Sequence, residues 1–263
     1  MRKYFVIGNP ISHSLSPKLH NYWLKENNIN ATYDKKKIDE DDLESIISDV
    51  KEKKINGINV TVPFKKSVIP FLDELSPESK KTQSVNTIYL KDGKIVGHNT
   101  DIAGFELSIK FLKYDVTDKK VFVLGAGGVA PSIIYSLRKM KVSKILLSNR
   151  TIERAQSLKN LFKNLEIVEW GETPNFDMVI NATSIGLKNE DGIKLDYDKI
   201  GPNKFFYDVI YNPKETIFLN RAKLSGNRAE NGKMMFIYQA HQSFTIWHKL
   251  MPNINEETIK LLD

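Results

Sequence analysis

The feature that most restricts this chain is the stretch Val121-Phe122-Val123-Leu124-Gly125-Ala126-Gly127-Gly128-Val129-Ala130, an apolar run broken by a glycine-rich turn. A short continuous apolar run before such a turn reads as a strand buried on both faces, the mark of a parallel sheet. The pattern G-x-G-x-x-A then gives each position a task. Gly125 permits the tight turn, Gly127 lets the backbone approach a pyrophosphate, and Ala130 lets the following helix pack closely on the strand. The helix N-terminus faces the anion. In this strand-turn-helix setting the motif predicts a dinucleotide-binding fold.

The next strand sharpens the choice of dinucleotide. A fold that binds NAD places an acidic residue about 20 residues further on, where it accepts from the ribose 2′-hydroxyl. Here Lys144 to Ser148 is followed by Asn149, Arg150 and Thr151, with Arg154 one turn later. A carboxylate would repel a 2′-phosphate, whereas guanidinium and hydroxyl donors bind one. Cations at the start of a helix also oppose its dipole, so a bound phosphate explains them better than chance does. NADP(H) is the expected cofactor.

Strand-like and helix-like segments alternate along most of the 263 residues, which is room for two modest domains. Tyr4 to Ile7, Ala31 to Lys37, Ile55 to Val62 and Val85 to Tyr89 read as strands, the last paired with Ile95 to His98 through the turn Lys91-Asp92-Gly93-Lys94. Leu43, Ile46, Ile47 and Val50 give one apolar helical face after a start at Asp39 to Asp42. In the middle third, strands are expected at Val121 to Leu124, Lys144 to Ser148, Glu166 to Val168, Met178 to Asn181 and Phe205 to Val209. Helices are expected over Val129 to Met140 and from Thr151, then over Met235 to Leu250 and from Asn255. Because the first glycine motif normally sits in the first strand-helix turn of its domain, the hundred residues before it form a separate domain.

Composition removes several functions. There is no cysteine, so disulfides, thiolate metal sites and cysteine nucleophiles are out. The five histidines form no ligand cluster with carboxylates, and no metal is expected. The formal charge of +7 is spread along the chain, and runs such as Lys35 to Lys37 carry no interleaved aromatics, so a nucleic-acid role is not expected. Tyr4 to Ile7 is too short for a signal peptide and no stretch approaches membrane-spanning length, making the cytoplasm the expected compartment.

Polar blocks at strand ends mark the substrate side. Asn9 to Pro17, with Ser12, Ser14 and Ser16, follows the first strand and suits an anion, although Ser16 capping a helix with Pro17 at its first position is an ordinary reading too. Asn59 to Lys65 and His98 to Asp101 end later strands, and Lys65 with Asp101 forms a candidate acid/base pair.

These blocks, in order, resemble the shikimate dehydrogenases: Ile11 to Pro17, Asn59 to Lys65, Val85-Asn86-Thr87, Asn99-Thr100-Asp101, the glycine turn, Asn149-Arg150-Thr151, Asn181 to Ser184, Asp208 to Pro213, and Gln239-Ala240 with Trp247. Two positions depart from the family: Gln83-Ser84 where Gly-Ala is usual, and Ile102 where glycine is common. The resemblance implies NADP-dependent interconversion of 3-dehydroshikimate and shikimate, with Lys65 and Asp101 at the reacting oxygen. It also implies that Ser14 and Ser16 hold the carboxylate, that Tyr211 supports that end, and that Asn59, Thr61, Asn86, Asp101 and Gln239 bind ring hydroxyls. On the cofactor side it carries over Ala126, Gly127, Gly128, Asn149, Arg150, Thr151 and Arg154, with Thr183 near the nicotinamide ribose and Gly232 and Met235 near the ring. The expected fold class is α/β with two domains. A substrate-binding domain with a mainly parallel sheet takes residues 1–101 and 233–263, and a Rossmann-like NADP-binding domain takes 102–232. The expected partner is a small molecule, with the chain a monomer or homodimer. The alternatives are an NAD-preferring quinate/shikimate dehydrogenase and a non-catalytic cofactor-binding relative.

Overall fold

Burial of Tyr4, Val6 and Ile7 commits the first strand, β1 (Arg2–Gly8), to the interior of a sheet. The structure, a computed structural model, describes residues 1–188 and 192–263. Helix α1 (Ser16–Glu26) returns the chain to β2 (Ala31–Lys37), and α2 (Leu43–Lys51) returns it to β3 (Gly57–Val60). Both β2 and β3 pair parallel with β1, one on each side. Leu43, Ile46, Ile47 and Val50 are all buried, the face their spacing predicts. Asp39 and Asp42 close a capping box over the short turn that precedes α2.

The chain continues through β4 (Glu74–Leu75), α3 (Pro77–Thr82) and the hairpin β5 (Thr87–Lys91) and β6 (Lys94–His98). Asp92 and Gly93 both have positive φ, as a two-residue hairpin turn of this type requires. Strand β5 runs antiparallel to both β3 and β6, so the sheet, ordered β2-β1-β3-β5-β6-β4, is mixed. Its edge strand β2 carries exposed Lys35, Lys36 and Lys37; charge along an edge discourages pairing with another chain, which accounts for that run.

Helix α4 (Asp101–Phe111) leads to a second sheet. Its elements are β7 (Lys120–Leu124), α5 (Ala130–Lys139), β8 (Lys144–Ser148), α6 (Ile152–Leu161), β9 (Leu165–Ile167), β10 (Met178–Asn181), α7 (Tyr197–Ile200), β11 (Phe205–Asp208), α8 (Ile217–Leu224) and β12 (Arg228–Glu230). All its strands pair in parallel, in the order β12-β11-β10-β7-β8-β9. Ile133, Ile134 and Leu137 of α5 pack with Val121 and Val123 on one face, while Phe218, Leu219 and Ala222 of α8 pack with Phe122 and Phe206 on the other. The order reverses between β7 and β10, so their carboxyl ends flank a topological switch point, where open parallel sheets bind ligands.

Two last helices, α9 (Lys233–His248) and α10 (Glu256–Lys260), end the chain. The molecule divides into Met1–Gly104 with Ile237–Asp263, and Phe105–Phe236. Both divisions fall inside continuous helices, α4 and α9, a few residues from the limits read from the sequence.

An aromatic group completes the first unit. His20 of α1 lies flat on Tyr33 of β2, ring centroids 4.1 Å apart, with Trp23, Phe244 and Trp247 around it. Trp247 fills the space over Gly57, where a β-carbon would sit 2.4 Å from the indole nitrogen, and that nitrogen donates to the Ile88 carbonyl. Burial lowers the His20 pKa from 6.5 to about 3, and neighbouring His248 pushes the same way. The folded chain refuses a proton that the unfolded chain accepts, so the stability this neutral ring provides is complete above pH 6.5 and is lost as pH falls towards 3. The loss amounts to about 1.4 kcal/mol per pH unit. Urea titrations followed by tryptophan fluorescence at a series of pH values should show this slope, and His20→Phe should flatten it by about one proton. An unchanged slope in the variant would remove His20 from the acid response.

Candidate active site

In the first unit, Lys65 and Asp101 come from segments 36 residues apart and meet, Nζ to Oδ2, at 2.5 Å. Both side chains are nearly buried, at 10% and 7% exposure, so this is a desolvated ion pair rather than a surface one. The fold places each partner from its backbone. The Lys65 carbonyl accepts from Val85 N, and Asp101 N donates to Asn99 Oδ1 at the start of α4. Asn86 then orients the carboxylate: its Nδ2 donates to Asp101 Oδ1 at 2.9 Å while its Oδ1 accepts from Thr100 N at 2.7 Å. Gln239 of α9 reaches the same amide at 3.5 Å. An ammonium has three donors, and Asp101 is the one protein acceptor for Lys65 among the described residues. The remaining donors suit a ligand oxygen.

Asn59 at the end of β3 joins this network. Its Nδ2 donates to the Asn86 carbonyl and to Thr87 Oγ1, and its Oδ1 accepts from Tyr33 OH at 2.7 Å. Thr61 is half-buried and packs on Gly8, whose missing β-carbon would lie 2.6 Å from the Thr61 methyl. Ser14 is half-buried and Ser16 buried. The expectation that Ser16 caps α1 is corrected: Leu15 occupies the capping position, and Ser16 is the first helical residue with Pro17 next. Ser14 Oγ accepts from the Ser16 N–H at 3.3 Å, and the capping position itself makes no side-chain bond.

In the second unit the glycine turn behaves as its sequence predicts. Gly125 has φ +107°, and a β-carbon there would lie 2.8 Å from the Ala182 carbonyl. Over Gly127 the nearest such atom is 3.8 Å away, leaving room for an approaching ligand. Ala130 is fully buried against the sheet. Ala126 N donates to Asn149 Oδ1 and Asn149 Nδ2 donates to the Thr151 carbonyl, so Asn149 ties this turn to the one after β8. Helix α5 has no acid in its first turn, so the positive end of its dipole carries no side-chain charge that would repel an anion.

Arg150, Thr151 and Arg154 are exposed at the start of α6, and the Thr151 hydroxyl makes no capping bond. Neither arginine forms an ion pair among the described residues. With no carboxylate closing β8, these donors fit a phosphorylated ribose. Thr183 follows β10, its N and Oγ1 both held by Asn181 Oδ1 at 3.0 and 2.7 Å. Gly232 seats against the Val209 carbonyl, 2.2 Å from its would-be β-carbon; Met235 is mostly within the core, and Tyr211 stacks on Phe236.

Sequence reasoning missed Tyr33 and gave Thr100, inside the block Asn99-Thr100-Asp101, no role of its own; both complete the buried network around Asn59 and Asn86. Tyr33 reads as one apolar residue in a strand, and no local signal distinguishes it. Among the described residues no group of histidines and carboxylates could hold a metal, and no helix is long and apolar enough to cross a membrane.

Comparison with known proteins gives the family of the chain. Residues 6–88 match the shikimate dehydrogenase substrate binding domain, and residues 106–188 match the shikimate / quinate 5-dehydrogenase family. The shikimate dehydrogenase (NADP(+)) of Pelagibacter ubique is 59% identical, with 100% of each chain covered. The shikimate dehydrogenase crystal structure from Aquifex aeolicus is 37% identical with a TM-score of 0.90, covering 100% of this chain and 97% of the other. A Thermus thermophilus shikimate 5-dehydrogenase in complex with NADP(H) and shikimate also has a TM-score of 0.90, at 28% identity and with 100% and 98% coverage.

Proposed function

Because the chain belongs to the shikimate dehydrogenase family, we propose that its buried Lys65–Asp101 pair is the acid/base centre of the reaction. The chain is an NADP-dependent oxidoreductase that interconverts 3-dehydroshikimate and shikimate, a step of the shikimate pathway. Bound NADPH supplies the hydride that reduces the C3 carbonyl. Lys65 donates a proton to that oxygen as negative charge develops, and in the reverse direction takes it from the hydroxyl. Asp101 holds the ammonium in place, and Asn86 holds Asp101. The observation that carries this reading is a desolvated cation with donors left over for an oxygen.

Ser14 and Ser16 hold the substrate carboxylate, with Tyr211 supporting that end. Asn59, Thr61, Asn86, Asp101 and Gln239 bind the ring hydroxyls. Gly125, Ala126, Gly127, Gly128 and Ala130 form the pyrophosphate turn and its packing; because Ala126 N is already bonded to Asn149, Ala126 shapes the turn rather than donating. Asn149, Arg150, Thr151 and Arg154 take the phosphorylated ribose, and Thr183, Gly232 and Met235 serve the nicotinamide end. This reading has the enzyme working in the cytoplasm as a monomer or homodimer, with residues 1–101 and 233–263 as substrate domain and 102–232 as cofactor domain.

The test follows cofactor absorbance with shikimate and with quinate, each against NADP and NAD. Shikimate with NADP should give the fastest turnover; none with that pair would sink the reading. Faster turnover of quinate with NAD would favour the quinate alternative.

A further inference from the structure

Asp208 ends β11 fully buried, and among the described residues no cation pairs with it. Burial pushes its carboxyl up to about 6, against the pull of the donors around it. A carboxylate without a counterion is an expensive core residue, since its desolvation is offset only by hydrogen bonds. Packing alone does not call for it.

Its donors show what it holds. Oδ1 accepts from Asn181 Nδ2 and from Ile210 N, both at 3.0 Å, and Oδ2 accepts from Thr216 Oγ1 at 2.7 Å. Three segments at the carboxyl edge of the second sheet therefore converge on one side chain. Each leads to the ligand side. The Asn181 Nδ2 is shared between Asp208 Oδ1 and the Ile185 carbonyl, both at 3.0 Å, and these two acceptors together turn its oxygen to Thr183, where it accepts from both N and Oγ1. Thr183 in turn abuts the glycine turn, its methyl 2.8 Å from where a Gly125 β-carbon would lie. Thr216 packs the far side of the same loop, its methyl 3.1 Å from where Gly186 would carry a β-carbon. Ile210 and Val209 form the backbone on which Gly232 sits, with Gly232 N donating to the Ile210 carbonyl.

We propose that Asp208 is a positioning residue for the nicotinamide end of the cofactor: it touches no ligand and fixes Thr183 and Gly232 in register with the Gly125 turn. This rests on the assignment of Thr183 and Gly232 to that end given above. Asp208 does nothing for the phosphorylated ribose, which the residues after β8 hold.

The two ends can be read separately by measuring binding of NADPH and of adenosine 2′,5′-bisphosphate, which lacks the nicotinamide half. Asp208→Asn should weaken NADPH about tenfold or more while leaving the bisphosphate nearly unchanged. Thr216→Val, which removes one donor, should move NADPH binding the same way by less, and Thr216→Ser should restore it. This second pair carries the test if Asp208→Asn does not fold. Equal weakening of both ligands, or of neither, overturns the proposal. Failure of the unaltered protein to bind the bisphosphate would overturn the cofactor reading beneath it, an outcome recognisable before any variant is made.

Discussion

Replacing Lys65 with alanine is expected to lower kcat about a thousandfold while changing the KM for shikimate far less. General acid/base groups contribute roughly 10²- to 10⁴-fold, and an interaction made chiefly in the transition state leaves ground-state binding largely intact. A complication follows from burial. Removing the ammonium strands Asp101 at 7% side-chain exposure, and breaking a buried pair in this way costs about 3–5 kcal/mol of stability. The double variant Lys65→Ala with Asp101→Asn separates the effects, because it removes the stranded charge without restoring a proton donor. Thermal melts should recover in the double variant while turnover stays low. Turnover that recovers together with stability would mean Lys65 serves the fold and not the chemistry.

The second large effect concerns the choice of cofactor. Arg150→Glu puts a carboxylate at the end of β8, the place where an NAD-binding fold carries one. Combined with Arg154→Ala, it should lower kcat/KM for NADP by about a hundredfold or more, since a bound phosphate loses two charge-assisted partners and gains a repulsion. The value for NAD should change by a few-fold at most. Both arginines are exposed and lie outside the core, so the melting temperature should hold. The loss should also shrink as salt is raised, because exposed charges are screened. An unchanged NADP efficiency would end the assignment of these arginines to the 2′-phosphate.

What could be read from the chain beforehand follows the range of the interactions involved. The Gly125 turn, the apolar face of α2 and the Asp92-Gly93 hairpin are set by residues within a few positions of one another, and the structure has all three. Strands β4 and β12 are two and three residues long, too short for alternation to register. The strand expected from Val85 begins at Thr87 instead, because Val85 N turns to the Lys65 carbonyl, a bond across 20 positions that local pattern does not contain. The departure at Gln83 has a backbone meaning: it closes α3 at φ +48°, a conformation that glycine adopts without strain. Lys65 and Asp101 were visible as residue types at strand ends, yet their pairing depends on β6 returning beside β5. Tyr33 and Asp208 act through partners 26 and 27 positions away, so only the folded sheets reveal them.

The first unit is not continuous in sequence, because Ile237–Asp263 belongs with Met1–Gly104. That arrangement sets a timetable for synthesis. A ribosome makes every residue of Phe105–Phe236 before it adds Phe244 and Trp247, which lie further along the helix that crosses the boundary. Domains generally fold as units once their sequence has emerged, so the first unit cannot close before the end of the chain is made. Until Phe244 and Trp247 are added, the flank of Gly57 and one side of the His20 ring wait uncovered on a nearly finished chain. The order of translation therefore leaves the first unit, whose sequence is made first, to be completed by the last residues of the chain.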